Sequence, residues 1–321
     1  MNYKLYTHND LDGVGCAILA KLAWQDYVEI KYCNSPDEVT ERLCKDDNRH
    51  ADLVFVTDCS FNYEKVYNNN HRVINKIRLF DHHATALPLV NKSEYFVVET
   101  YRKDGKPTCG TEIFYNYLKE RKGFTRNCHY FVEQVRLYDT WEWKEGSSNI
   151  PNYLSMLLYT DSISAFCDNF AIKLLRGNMN DLSVFTDAER AVLQYEERRQ
   201  QKMLDKALKN VYIIHTDKYS WGITFSEVNM SLIGQEICDT FDVDIAASIN
   251  LNNEILSVRT TKNNIDLGAL MKSDFNGGGH PKAAGTPLHN QAFNVIKDII
   301  KPKRVESFSK GGKNYQWIRQ H

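Results

Sequence analysis

Short apolar segments alternate with amphipathic ones over the first quarter of the chain. Residues 3–7, 28–32, 53–57 and 76–80 are apolar runs of strand length. Residues 14–24 and 37–45 lie between them with helical spacing, and Ser35 followed by Pro36 is a typical helix start. Strands that alternate with helices predict an α/β fold with a mostly parallel sheet covered by helices.

The middle of the chain predicts helices. Residues 109–121, 128–138 and 150–185 have helical patterns. Residues 186–209 contain no Gly and no Pro, and Thr186 with Glu189 fits a capping box, so we expect a solvated amphipathic helix there. Its position indicates a connector over residues 186–210, after a first domain that covers residues 1–185.

A second, smaller α/β domain is predicted over residues 211–305. Strand patterns cover residues 221–226, 243–250 and 255–260, and helix patterns cover residues 231–241 and 266–273. The glycine-rich segment GGGHPKAAG follows at residues 277–285. The polar tail, residues 306–321, has no predicted role.

Composition and charge narrow the class of protein. The chain has 321 residues, a length that suits two domains. Its 40 Lys and Arg nearly balance 41 Asp and Glu, which excludes a global basic surface for long duplex DNA but not a local basic groove. No apolar run approaches the ~20 residues of a membrane span, and the N-terminus lacks a signal-peptide core, so we expect a cytoplasmic protein. The eight cysteines form no C-x-x-C pair, which favours reduced thiols over a zinc ribbon or disulfide framework.

Potential metal ligands follow three of the predicted strands. They are His8, Asp10, Asp12, Asp58, Asp81, His82 and His83, with Asp139 of RLYDTW as a further candidate. A single Asp after a strand is usually a turn or cap residue. Three such ends, two of them with His, indicate one shared site, because the carboxyl ends of parallel strands meet at one edge of a sheet. We expect Gly13 to let the backbone turn tightly into the following helix.

This donor set predicts two divalent cations. Mixed imidazole and carboxylate ligands suit Mn²⁺ or Mg²⁺. Two such ions roughly 3.5–4 Å apart can share a carboxylate and a hydroxide that attacks phosphorus in line, while the ions neutralise the developing charge. Trp141 and Trp143 follow Asp139 and predict either stacking on a nucleic-acid base or core packing that holds Asp139 in place. Both alternatives stay open.

The motifs resemble those of a known superfamily. His8-Asn-Asp10-Leu-Asp12-Gly13, Asp58, Asp81-His82-His83 and Asp139 look like the four motifs of the DHH phosphoesterases. GGGHPKAAG, preceded by LSVRT, looks like the signature of the DHHA1 partner domain. YTHNDLDGVGCAILAKLA, DHHATAL and RLYDTWEW are most similar to the B-type nanoRNases, a group of short-oligonucleotide exonucleases. The motifs run from residue 8 to residue 285, nearly the whole chain.

The resemblance implies a ligand set for both ions. The first ion would be held by His8, Asp10 and Asp58. The second would be held by Asp12, Asp58, His82 and Asp139, so that Asp58 bridges. His83 would point at the scissile phosphate, and Asp81 would orient its neighbours through hydrogen bonds.

The resemblance also implies a substrate-binding partner domain that faces the metals across a cleft. Gly277, Gly278 and Gly279 would let backbone N–H groups approach a phosphate. His280 would contact the substrate end, and Arg259 would bind a phosphate or stack on a base. Lys282 is a weaker candidate for the same surface.

The leading functional hypothesis is a Mn²⁺-dependent phosphodiesterase, with Mg²⁺ or Co²⁺ as alternative ions. Its substrates would be single-stranded RNA oligonucleotides from dinucleotide to about pentanucleotide length, cleaved to 5′-mononucleotides. The alternatives are 3′-phosphoadenosine 5′-phosphate, linear or cyclic dinucleotides, and single-stranded DNA. A non-catalytic nucleotide-binding protein is disfavoured because every expected ligand position is filled. No membrane and no protein partner is indicated, and a homodimer stays open.

Overall fold

The computed structural model describes residues 1–176, 184–288, 304–310 and 313–319. The chain divides into two units, Met1–Arg198 and Arg199–His321. The division falls inside a long helix, Asp187–Lys209, in the segment that the sequence predicts as a connector. Each unit has its own sheet.

The first unit contains a parallel sheet of five strands. They are β1 (Tyr3–His8), β2 (Val28–Cys33), β3 (Leu53–Thr57), β4 (Ile77–Asp81) and β5 (Phe96–Val98). Their order across the sheet is β2-β1-β3-β4-β5, and each neighbouring pair is parallel. The predicted parallel sheet is confirmed, although the sequence pattern misses β5, which has only three residues. The chain order reverses between β1 and β3, where open α/β sheets bind ligands beyond the strand ends.

Helices surround this sheet. They are α1 (Leu11–Trp24), α2 (Pro36–Lys45), α3 (Tyr63–Ile74), α4 (Gly110–Lys119), α5 (Arg126–Asp139), α6 (Ile150–Thr160), α7 (Ile163–Arg176) and α8 (Asp187–Lys209). The predicted helices are confirmed to within a few residues, except that residues 177–183 lie outside the described part of the chain. The sequence misses α3. Its asparagine run hides the apolar period, and Asn70 leaves the helical region with φ of −149°.

Side chains cap the helices that follow the strands. Asp10 accepts a hydrogen bond from the Gly13 amide of α1 at 3.0 Å. Ser35 accepts one from the Glu38 amide of α2 at 3.2 Å. Each cap satisfies an N–H group that the helix itself leaves without a partner.

Alternate strand residues contribute to two apolar cores, one on each face of the sheet. Leu5, Phe55 and Phe80 are buried with α1 and α4 to α7 on one face. Neighbouring strand residues such as Tyr6 and Val56 are buried with α2 and α3 on the other. Both faces are therefore covered, as the near-continuous apolar strands predict.

The second unit contains a mixed sheet of six strands. They are β6 (Tyr212–His215), β7 (Ser220–Phe225), β8 (Ile245–Asn250), β9 (Ile255–Arg259), β10 (Gly278–His280) and β11 (Ala283–Pro287), in the order β10-β11-β9-β8-β7-β6. Only the β7–β8 pair of this sheet is parallel. Two further helices, α9 (Met230–Phe241) and α10 (Leu267–Asp274), contribute to separate apolar clusters. The predicted strands and helices are confirmed, but β6 escapes prediction because all four of its side chains are exposed.

The glycine-rich segment and the polar tail both form strands. GGGHPKAAG contributes β10 and most of β11, which pair antiparallel. In the tail, β12 (Arg304–Lys310) pairs antiparallel with β13 (Lys313–Arg319). Backbone pairing therefore exists where the side-chain pattern shows no period.

Two further observations concern membranes and thiols. Within the described residues, no helix combines the length with the apolar composition needed to cross a bilayer. All eight cysteines carry free thiols, and seven of them are buried.

Candidate metal centre

The ends of three neighbouring strands and one helix converge on the candidate site. β1 ends in His8, and Asp10 and Asp12 follow at the start of α1. Asp58 comes directly after β3. β4 ends in Asp81 and leads into His82 and His83, and α5 ends in Asp139. The parallel register of β1, β3 and β4 is what brings the first three segments to one edge.

One group of potential ligands consists of His8, Asp10 and Asp58. His8 Nδ1 lies 2.8 Å from Asp10 Oδ2 and 3.9 Å from Asp58 Oδ2. One ligand atom from each of the three side chains falls within 4.8 Å of the others, which is the spacing of a cation site. Burial opposes a charge on His8, but the neighbouring Asp10 outweighs it and raises the pKa of His8.

A second group consists of Asp12, Asp58 and His82, again within 4.8 Å of one another. His82 Nε2 lies 3.3 Å from Asp58 Oδ1 and 3.6 Å from Asp12 Oδ2. Asp139 Oδ2 lies 3.6 Å from the same nitrogen and completes the cluster. Asp58 belongs to both groups, with one oxygen near each histidine.

The buried carboxylates of the cluster repel one another unless a positive charge lies between them. Asp58 is 2% exposed, and its Oδ2 has no hydrogen-bond partner. Burial together with Asp12 and Asp10 raises the pKa of Asp58 well above its usual value. Burial, opposed by His82, raises the pKa of Asp139 to about 7. Carboxylates packed this closely fit divalent cations, which take oxygen and imidazole ligands and cancel the repulsion.

His83 has a different environment. Its Nδ1 lies 2.7 Å from Asp81 Oδ1, and the His82 and His83 amides donate to the same oxygen. Burial opposes protonation of the ring, but the hydrogen bond to Asp81 and the nearby carboxylates raise the pKa of His83 to about 9. The contact with Asp81 therefore favours the protonated ring near neutral pH.

Comparisons with known proteins show what this chain is similar to. No family model matches the chain. The chain is 33% identical over 322 residues to oligoribonuclease NrnB of Bacillus subtilis, and the alignment covers 95% of this chain and 78% of the relative. The chain belongs to the NrnB family of DHH phosphoesterases. Membership makes it a hydrolytic phosphoesterase related to nucleases.

Solved structures agree on the fold. RecJ of Thermus thermophilus, solved in complex with Mn²⁺, superposes with a TM-score of 0.58 at 14% identity, over 94% of this chain and 51% of RecJ. The chain thus spans about half the length of that nuclease. CDC45 of Entamoeba histolytica has a TM-score of 0.50 at 8% identity, over 94% of this chain and 95% of CDC45. At these identities the likeness shows the fold alone.

In this NrnB-family chain, Gly13 has another role than the one expected. It lies inside α1 with an ordinary backbone, since only Gly105 and Gly279 among the described glycines have positive φ. A Cβ on Gly13 would lie 2.1 Å from the His8 carbonyl oxygen. Glycine is therefore needed because α1 starts against the end of β1, and not because the chain turns there.

Two residues that the sequence does not single out contact the candidate metal centre. The amides of Gly110 and Thr111, at the start of α4, donate to the two oxygens of Asp12 at 2.6 and 2.7 Å. The partners are 98 and 99 residues apart, and no local signal in the sequence could have shown the contact.

The two tryptophans differ in environment. Trp143 is 9% exposed, and its ring lies 6.2 Å from the Tyr138 ring in a stacked arrangement, so it packs in the first unit. Trp141 is half-buried and adopts a left-handed backbone conformation with φ of 64°. Packing therefore accounts for Trp143, while base stacking by Trp141 stays a prediction.

In the second unit, the predicted substrate-binding residues lie on β9, β10 and the turn to β11. Arg259 ends β9 and packs on α9, where a Cβ on Gly234 would lie 2.8 Å from its Cγ. Its guanidinium donates to Ser231 Oγ. His280 ends β10. Lys282 is exposed in the turn to β11 and donates to the Lys262 carbonyl.

The hairpin itself explains two of the three glycines. A Cβ on Gly277 would lie 2.2 Å from the Gly285 carbonyl oxygen. Gly279 has φ of +141°, and its Cβ would lie 2.5 Å from Ala284 Cα. A Cβ on Gly278 would meet nothing within 4 Å. The predicted approach of a phosphate to the backbone therefore depends on Gly278.

Proposed function

We propose that the chain is a metal-dependent phosphodiesterase that hydrolyses very short single-stranded RNA to 5′-mononucleotides. The observation that carries this proposal is the shared Asp58, whose two oxygens face two separate His and carboxylate groups. An unpartnered, buried carboxylate oxygen is costly unless a cation occupies the site. The NrnB relative supports the choice of oligoribonucleotides as substrate.

The proposed ligands divide between two cations. His8, Asp10 and Asp58 would hold the first, and Asp12, Asp58, His82 and Asp139 would hold the second. Mn²⁺ is the first choice of ion, with Mg²⁺ and Co²⁺ as alternatives. Bound ions would activate the attacking water and neutralise charge on the phosphoryl oxygens.

His83 acts on the substrate in this proposal. Asp81 holds the Nδ1 side of the ring and favours its protonated form. An imidazolium at this position stabilises the negative scissile phosphate and can donate a proton to the leaving oxygen. Asp81 is 0% exposed and acts by fixing and charging His83.

The second unit would bind the end of the substrate. The open backbone at Gly278 would admit a phosphate. His280 ends the same strand, and Arg259 ends β9, which lies on the other side of β11. Arg259 offers a planar fork to a phosphate or a flat surface to a base.

Hydrolysis of a labelled RNA ladder tests the proposal. Di-, tri-, penta- and decanucleotides and a 24-mer are incubated with Mn²⁺ or with chelator, and the products are resolved over time. We expect fast, metal-dependent loss of the shortest RNAs, and the order of products gives the polarity. Processive degradation of the 24-mer without activity on dinucleotides would contradict the proposal. If the protein cleaves none of these RNAs, 3′-phosphoadenosine 5′-phosphate or cyclic dinucleotides become the proposed substrates.

A further inference from the structure

Helix α4 meets the candidate metal centre with its first residues. Its cap residue, Cys109, makes no side-chain hydrogen bond to the helix, so the first amides stay available. Asp12, about a hundred residues earlier in the sequence, accepts from these amides, with Oδ2 for Gly110 N and Oδ1 for Thr111 N. The Thr111 hydroxyl also donates to the Asp12 carbonyl oxygen. Three hydrogen bonds from Gly110 and Thr111 thus hold both the carboxylate and the backbone carbonyl of Asp12.

The contact is also sterically tight. A Cβ on Gly110 would lie 2.7 Å from Asp58 Cβ, 2.9 Å from Asp58 Cα and 3.1 Å from Asp12 Oδ2. A Cβ on Gly15 of α1 would lie 2.4 Å from Thr111 Oγ1. Only glycines at both positions let α1 and α4 approach this closely. The start of α4 therefore sets the separation between Asp12 and Asp58.

The geometry has a consequence for ligand binding. Each Asp12 oxygen accepts one amide hydrogen bond, and Oδ2 also lies 3.6 Å from Nε2 of His82, in the group that Asp12 forms with Asp58 and His82. Asp58, the other carboxylate of that group, is buried, and its Oδ1 lies 3.3 Å from the same His82 nitrogen. The start of α4 thus fixes the orientation of the Asp12 carboxylate before any cation arrives.

We propose that Gly110 and Thr111 are positioning residues for the second cation, a role that rests on the metal centre of the proposed function. They act through Asp12 and contact no substrate. Changing them should weaken binding of the cation that Asp12 shares with Asp58, although no ligand side chain is removed. Changes to residues that orient metal ligands typically cost about ten- to a hundredfold in metal affinity.

Mn²⁺ titration of the full chain tests this role without any RNA. Calorimetry measures stoichiometry and affinity for the natural chain and for Gly110→Ala, Thr111→Val and Thr111→Ser. Gly123→Ala is the matched control, because a Cβ there would meet nothing within 4 Å. We expect two ions in the natural chain and in the control. In Gly110→Ala and Thr111→Val one of the two ions should bind about tenfold more weakly. Thr111→Ser keeps the hydroxyl group, so its Mn²⁺ affinity should be close to that of the natural chain.

Two outcomes would overturn the role. One is natural Mn²⁺ affinity for both ions in folded Gly110→Ala. The other, which decides the matter if Gly110→Ala fails to fold, is equal affinity in Thr111→Val and Thr111→Ser. A natural chain that binds two ions but cleaves no RNA would contradict the proposed substrate alone, and the variant series would still decide the positioning role.

Discussion

At the scale of single residues, Asp58 is the most informative side chain. It adopts a left-handed backbone conformation with φ of 51°, which few residues other than Gly, Asn and Asp accept. It is also buried among other carboxylates. A chain pays for such a residue in stability, and a bound cation offsets that cost.

Asp58→Asn separates the function of this residue from its fold. Asparagine keeps the shape and tolerates the positive φ but removes the charge. We expect loss of hydrolysis and of the Mn²⁺-induced rise in Tm, while the metal-free variant melts at or above the temperature of the natural chain. Thermal melts with and without Mn²⁺ measure this, with exposed Asp26→Asn as control. Full activity of Asp58→Asn in excess Mn²⁺ would contradict the ligand assignment.

The charge on His83 predicts the alkaline limb of the pH profile. The protonated ring is the active form in the proposal, so activity falls as pH rises through the pKa of His83, about 9 without metal. Asp81→Asn keeps an acceptor for both amides but removes the charge that raises this pKa. We expect the limb to move to lower pH in Asp81→Asn. Profiles of kcat against pH in Mg²⁺ measure the shift. If the alkaline limb stays at the same pH, a group other than His83 is responsible for it.

At the scale of elements, short hairpins and helix ends decide which residues can face a ligand. β10 and β11 pair so closely that Gly277 and Gly279 serve the hairpin, and only Gly278 has open space. The start of α4 likewise serves Asp12 and not a substrate. Glycine therefore has two distinct uses in this chain, close packing and open backbone.

Alanine at neighbouring glycines distinguishes these uses. Gly279→Ala forces a side chain into positive φ against Ala284, so we expect a loss of stability of roughly 1–3 kcal/mol. Gly278→Ala should leave the free energy of unfolding unchanged, because the added methyl meets nothing within 4 Å. Chemical denaturation measures both values. A severalfold rise in the KM for RNA in Gly278→Ala supports a phosphate at this backbone, and an unchanged KM would place the substrate elsewhere.

At the scale of the whole molecule, the metal centre links stability to pH. Burial raises the pKa of Asp139 from 3.8 to about 7, and the carboxylate neighbours of His83 raise its pKa from 6.5 to about 9. In both cases the folded chain binds more protons than the unfolded chain between the two values. From these two groups we therefore expect the metal-free chain to be more stable at pH 5 than at pH 8.

The stabilisation by metal should follow the opposite trend. Cations bind the deprotonated carboxylates, so the rise in Tm caused by Mn²⁺ should grow from pH 5 to pH 8. Melts of the full chain in Mn²⁺ and in chelator across this range measure the difference. An equal Mn²⁺ effect at every pH would show that the titrating carboxylates do not bind the ion.

Local pattern was enough for much of the architecture. Apolar runs of strand length and amphipathic helices between them predict the parallel sheet, because side-chain period and strand ends are properties of neighbouring residues. The same ends locate His8, Asp58 and Asp81 at one edge of the sheet. The missed elements, α3, β5 and β6, are those whose side chains are polar, few or exposed, so no apolar period marks them.

The fold class, the residue types at the site and the resemblance to a family can thus be inferred from the order of residues alone. How those residues meet depends on the folded chain. Asp58 belongs to two groups of ligands, and the start of α4 donates hydrogen bonds to Asp12. Gly13 and Gly110 lie in tight contacts. All these contacts join segments that pack together only once the sheet has formed. Contacts across such sequence distances depend on packing and hydrogen bonding in three dimensions, which a pattern along one dimension does not contain.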